Sequence, residues 1–123
     1  MKLLLDTCVL VDVLHNKVEA IAYMRASGDQ AAICPITVME LYAGARSQRD
    51  EKVVDALIGI FDIVGVEIGS YRRAGEYLRH FQASHALDVS DALIAATAEQ
   101  HGLKLATLNV KHFPMFPKLK PPY

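Results

Sequence analysis

Short apolar runs alternate with longer stretches of helical spacing along the whole chain. Lys2 to Leu5 reads as a short buried strand, and Val9, Leu10, Val13 and Leu14 follow at helical spacing. Val18 to Ala26 is a second helical stretch, closed by Ser27-Gly28-Asp29. Ala31 to Cys34 predicts a second strand, ended by Pro35. Thr37 is expected to cap a helix through Ala43, with Gly44 near its end. Asp50 to Phe61 is helical, with Val53, Val54, Leu57, Ile58 and Phe61 apolar, and Ile63 to Val66 is a β-branched strand. Ser70 is expected to cap a helix running to about Ser84, with Ala74, Leu78 and Phe81 inward. Asp88 to His101 is the clearest helix and ends at Gly102. Leu103 to Thr107 is a fourth strand, Asn109 to Phe116 is irregular, and Leu119 belongs to a weak fifth strand.

Strands that alternate with helices imply a mainly parallel sheet covered on both faces. There is no internal repeat, linker or low-complexity segment, so residues 1–123 read as a single domain. Hydrophobic residues make up 52% of the chain, enough to build a core. No apolar run approaches the roughly 18 residues of a membrane span. The run from Met1 to Leu5 is too short for a signal peptide, and Asp6 ends it. Cys8 and Cys34 form no metal-type or redox-type pair, so they read as buried free thiols in a reducing cytoplasm.

The formal charge of −1 carries no global signature of nucleic-acid binding. Its distribution says more. No acid follows Glu99, whereas Lys104, Lys111, Lys118 and Lys120 do. Such a tail suits an RNA-binding face, and it equally suits a merely solvated one.

Three acids stand alone in apolar surroundings. Asp6 ends Leu3-Leu4-Leu5, Glu40 sits in Val38-Met39-Glu40-Leu41-Tyr42, and Asp91 opens Asp91-Ala92-Leu93-Ile94-Ala95-Ala96. A carboxylate placed where a core forms is costly unless something pairs with it. Each acid also has a plain reading as a helix cap. Thr37-Val38-Met39-Glu40 fits a capping box, Asp88-Val89-Ser90-Asp91 offers an N-cap with a charge in the first turn, and Asp6 suits the start of the first helix. The predicted strand ends nevertheless bring Asp6, Glu40, Asp91, Thr107 and Asn109 to one sheet edge, where open α/β sheets place ligands. Several carboxylates without a matching Arg or Lys suit a hard divalent cation, Mg²⁺ or Mn²⁺. Such an ion acidifies a bound water and stabilises charge at a phosphate. Thr7 and Thr107 are candidates to orient ligands, Asn109 to position water or phosphate, and His112 to contact phosphate or metal. Among the five histidines none forms a zinc-type pair, and His101 reads as structural at a helix end.

These segments resemble the PIN-domain ribonucleases, most closely the VapC-type toxins of toxin–antitoxin pairs. The matching pieces are Leu5-Asp6-Thr7, Val38 to Ala45, Asp91 to Ala98, His101-Gly102-Leu103 and Ala106 to Phe113, in family order over essentially the whole length. The resemblance implies a PIN-like α/β/α sandwich on a mainly parallel sheet of four to five strands. It implies Mg²⁺- or Mn²⁺-dependent endonucleolytic cleavage of RNA. Asp6 and Asp91 match the family's principal metal-binding aspartates, Glu40 its second acid, and Asn109 the polar residue beyond strand four. The family often carries a fourth acid where this chain has His112. One negative ligand of a two-ion site is then missing, and Asp88, a helical turn before Asp91, is the candidate substitute. The resemblance also implies a small VapB-like antitoxin partner and a homodimer, with no membrane association.

Two other readings stay open. One is a PIN-like RNA-binding or RNA-processing module with little activity. The other is a phosphotransfer domain, which needs a second acid after strand one and an Asp after strand three. The chain offers only Asp6 and Glu67-Ile68-Gly69 there.

Overall fold

The computed structural model describes residues 2–123, including every side chain among them except that of His85. Met1 and the His85 side chain, both part of the sequence reading, lie outside the described residues. Strand β1 spans Leu3–Leu5, β2 Ala31–Ile33, β3 Asp62–Ile63 and β4 Lys104–Ala106. All pair in parallel, in the order β3-β2-β1-β4. The helices are α1 Thr7–Leu14, α2 Val18–Ser27, α3 Pro35–Ala43, α4 Gln48–Ile58, α5 Ile68–His85 and α6 Val89–His101.

The sheet divides the core by simple alternation along each strand. Leu4, Ala32 and Leu105 face a cluster that includes Tyr77 of α5, Ile94 of α6 and Phe113. Leu5, Ile33 and Ala106 face the opposite cluster with Leu10, Leu41 and Leu57. The result is an α/β/α sandwich with α5 and α6 on one face and α1, α3 and α4 on the other. Leu4, Leu5, Leu10 and Ile33 are fully buried, and each such side chain contributes about 1.5–3 kcal/mol of transfer free energy.

Helix α6 is buried on all sides over Asp91 to Ala98. Its alanines let neighbouring backbones approach closely. It starts with a capping box, in which Asp88 Oδ1 accepts from the Asp91 amide at 2.8 Å and Asp91 Oδ2 accepts from the Asp88 amide at 3.4 Å. It ends at Gly102, whose φ of 63° is a left-handed conformation that favours glycine.

Several boundaries differ from the sequence reading. Among the described residues the sheet has four strands, and Leu119 packs against the core instead of forming a fifth. Helix α3 starts at Pro35 with Cys34 as its N-cap, so Thr37 lies inside the helix and is not its cap. A proline has no amide to leave unpaired and its fixed φ suits a first helical position. Helix α5 starts after Glu67, which makes Ser70 an internal residue that donates to Gln100 Oε1. Helix α4 begins two residues before Asp50, capped by Ser47 Oγ accepting from the Asp50 amide, and stops before Phe61. Strand β3 is shorter than expected, and only the Val64 amide, donating to Ile33 O at 3.1 Å, extends it.

Candidate active site at the carboxyl edge of the sheet

Asp6 follows β1 directly, and the strand register puts Thr107 beside it because Leu5 lies opposite Ala106. The Asp6 amide donates to Ala106 O at 2.9 Å, which continues the ladder by one step. The side chain caps α1, with Oδ1 accepting from the Thr7 amide at 2.8 Å. Its other oxygen, Oδ2, accepts from Thr107 Oγ1 at 2.6 Å. Asp6 is 4% exposed and Thr107 is fully buried. Thr107 Oγ1 also accepts from the Asn109 amide at 3.0 Å, so the loop after β4 is tied to the same carboxylate.

Glu40 reaches this edge from α3. Its Oε1 accepts from Thr7 Oγ1 at 2.7 Å. Thr7 Oγ1 also lies 2.9 Å from the fully buried Thr37 Oγ1. Thr7 has one hydroxyl proton, and Glu40 takes it, so Thr37 is the donor in the second contact. The expected capping box between Glu40 and Thr37 is therefore absent. Glu40 turns outward to Thr7, and Thr37 serves as the inner end of a relay that fixes the Glu40 carboxylate.

Asp91 occupies the third position of α6 and is 7% exposed. Its pKa is pushed up to about 6, first by burial and then by the charges of Asp88 and Asp6. The Asp88 amide and His112 pull in the opposite direction. His112 Nδ1 stands 3.3 Å from Asp91 Oδ2. Asp88 is exposed and commits Oδ1 to the helix cap. Asn109 is exposed and meets the site here through its backbone amide.

Cys8 is a member of the site that the sequence reading left out. Its Sγ donates to Asp6 Oδ2 at 3.5 Å and lies 3.5 Å from Thr107 Oγ1. Burial, followed by the Asp6 charge, raises the thiol's pKa, so Cys8 stays a neutral donor. Its position two residues after Asp6, in the first turn of α1, is the signal that pointed there. Cys34 is buried and touches Thr97, as expected of a core thiol. His101 is structural, with Nε2 2.7 Å from Gly65 O.

The chain thus brings Asp6, Glu40 and Asp91 to one edge without closing them into a cage. Among the described residues, no three His, Cys, Asp or Glu side chains stand close enough to grip a metal ion. Carboxylates repel each other until a cation neutralises them. The charges of Asp88 and Asp6 add such repulsion to the larger effect of burial in raising the Asp91 pKa. The donor atoms are all hard oxygens, which fits Mg²⁺ or Mn²⁺ rather than a thiolate-seeking ion.

A four-stranded parallel sheet with acids and threonines gathered at its carboxyl edge is the arrangement of a PIN domain, and residues 3–116 match the PIN domain family. The chain belongs to that family. It is 37% identical over 124 residues to Ribonuclease VapC10 of Mycobacterium tuberculosis, covering 98% of this chain and 92% of that one. Ribonuclease VapC19 of the same organism is 36% identical over 126 residues, with 98% of each chain covered. Among solved structures, a chain of a toxin-antitoxin complex from Klebsiella pneumoniae superposes with a TM-score of 0.78 at 31% identity, over 99% of this chain and 98% of that one. A chain of the DNA-bound VapBC from Salmonella typhimurium also gives 0.78, over 98% and 96% of the two chains, and at 23% identity it speaks for the fold alone. No helix among the described residues is long and apolar enough to cross a membrane.

Proposed function

We propose that this protein is a divalent-metal-dependent endoribonuclease, the toxin of a VapBC-type pair, and that residues 1–123 act as one PIN domain in a reducing cytoplasm. Kinship with VapC ribonucleases supports the activity, and kinship with a toxin-antitoxin complex supports a small VapB-like antitoxin as partner. A homodimer completes the assembly. The observation that carries the catalytic reading is the pair of threonine contacts. Thr107 fixes Asp6 and Thr7 fixes Glu40, so two carboxylates are aimed before any ligand arrives. Preorganised groups of this kind lose little on reaching the reactive geometry.

Asp6, Glu40 and Asp91 are the residues that hold Mg²⁺ or Mn²⁺ in this proposal, with Asp88 a lesser contributor because its oxygen caps α6. The chemistry supplied by a bound ion is acidification of a water and neutralisation of charge at the phosphodiester. Thr7 and Thr107 hold the acids in orientation. Asn109 and His112 stand at the mouth, where they contact the RNA backbone. Cys8 donates to Asp6 Oδ2 and so shares with Thr107 in holding that carboxylate.

The test is cleavage of total cellular RNA, read by mapping new ends. EDTA abolishes cleavage, Mn²⁺ restores it, and Asp6→Asn removes it while the far-ultraviolet circular dichroism stays unchanged. Cleavage that survives chelation refutes the metal mechanism.

A further inference from the structure

A groove of about 650 Å³ lies between the C-terminal end of α5 and the segment that follows β4. Ala86 stands on one wall, and Lys111, His112, Phe116, Pro117 and Leu119 are among the residues that line the other. His112 also stands 3.3 Å from Asp91 Oδ2, so the groove opens directly from the acidic edge. Its volume falls within the roughly 300–1,000 Å³ of small-ligand sites.

The floor is apolar and well supported. Phe116 is half-buried and stacks on the fully buried Phe113, with ring centroids 6.5 Å apart and planes 18° from parallel. Leu119 packs on the same core. Two successive turns, Phe116 N to Phe113 O at 3.0 Å and Leu119 N to Phe116 O at 3.1 Å, hold the backbone beneath them. The rim carries the cation Lys111. Lys118 and Lys120 are exposed neighbours of Pro117 and Leu119 along the chain, and no acid follows Glu99 in the sequence. An aromatic and aliphatic floor with a cationic rim, continuous with the acids, matches one nucleotide: a base on the floor and a phosphate at the rim.

We infer that this groove is a nucleotide subsite of the RNA substrate. A base next to the scissile phosphate packs on Phe116, Pro117 and Leu119, and Lys111 pairs with its phosphate. The inference rests on the ribonuclease reading above and adds to it where the strand runs.

The probe is an oligoribonucleotide spanning a mapped cleavage site, prepared as a series with one abasic nucleotide at each position flanking the cut. With the unaltered protein, one abasic position raises KM about tenfold. In Phe116→Ala that penalty shrinks, because the surface it reports is gone. Lys111→Ala raises KM for every member of the series and lowers the slope of log KM against log salt by about 0.7. Fluorescence anisotropy of the same RNAs on Asp91→Asn repeats the comparison without turnover. RNA binding that depends on the groove without any cleavage by the unaltered protein overturns the ribonuclease reading and keeps the subsite. Cleavage with no abasic position mattering, and an unchanged salt slope in Lys111→Ala, overturns the subsite. So does an effect of Lys111→Ala and Phe116→Ala confined to self-association or antitoxin capture, which marks the groove as a protein seat.

Discussion

His112 Nδ1 lies 3.3 Å from Asp91 Oδ2, across the mouth of the acidic edge. The family often has an acid where this chain carries His112, and that histidine contacts the most perturbed carboxylate of the site. Burial and the charges of Asp88 and Asp6 push Asp91 up, while His112 draws it down. A residue that partly stabilises the Asp91 charge thus stands where a fourth repelling charge is usual. Repulsion among the acids is thereby lower than a fourth carboxylate would leave it.

His112→Asp puts a carboxylate beside Asp91, where the proposed metal site gains a negative ligand. Affinity for Mn²⁺ rises roughly tenfold, since ligand charge count sets the strength of such sites. Isothermal titration of the purified protein measures it. An affinity that stays level or weakens shows that position 112 does not address the ion.

Thr107→Val keeps the side-chain shape but removes the hydroxyl that donates to Asp6 Oδ2 at 2.6 Å and accepts from the Asn109 amide at 3.0 Å. The site is buried, so the lost hydrogen bond costs about 1–3 kcal/mol in urea melts. Cleavage falls by roughly 10–100-fold, the usual cost of freeing a ligand from its support. Thr107→Ser keeps the hydroxyl and recovers most of the rate. A valine variant as active as the parent shows that Asp6 needs no such support.

Asp88 separates a cap from a ligand. Its Oδ1 accepts from the Asp91 amide at 2.8 Å. Asp88→Ala costs about 1 kcal/mol, the typical value of an N-cap. Asp88→Ser keeps a capping oxygen but drops the charge, and cleavage stays within about threefold of the parent because serine remains a good cap. A serine variant that is stable yet inactive makes Asp88 a true ligand.

The sandwich was readable because its strands are buried on both faces. Leu3-Leu4-Leu5 and Ala31-Ala32-Ile33 appear as continuous apolar runs, as parallel strands do. Strand β3 was less readable because it is an edge with Asp62 and Ile63 both exposed, and its length depends on Ile33 across the sheet. Helix starts were misplaced where a good capping residue sits inside the helix. Thr37 and Ser70 both spend their hydroxyls on distant partners, Thr7 and Gln100. The three acids were visible as charges in apolar company. Thr7 and Thr107 were legible as orienting hydroxyls, but their pairings were not, since Thr7–Thr37 and Cys8–Thr107 join positions 30 and 99 residues apart. The same holds for Tyr123, whose hydroxyl donates to Asp12 Oδ2 at 2.9 Å and so docks the C-terminal segment on α1.

Asp91 gives the pH dependence of the metal-free protein a definite sign. Its pKa is about 6 in the folded chain against an ordinary value of 3.8. Between those values the folded state holds a proton that the unfolded state has released. The group therefore lowers stability as pH rises from about 4, with the full penalty present above about 6. Asp91→Asn removes the charge and keeps an oxygen that accepts from the Asp88 amide. In EDTA at pH 7.5 the variant melts higher than the parent by roughly 3 °C or more. At pH 3 the two melt together, because Asp91 is then largely protonated in both the folded and the unfolded parent. Mn²⁺ reverses the order at pH 7.5 by stabilising only the parent. Differential scanning calorimetry at the two pH values, with and without Mn²⁺, reads all three outcomes. An apo variant that melts lower at pH 7.5 means that the Asp91 charge stabilises α6 as a cap by more than its burial and repulsion cost.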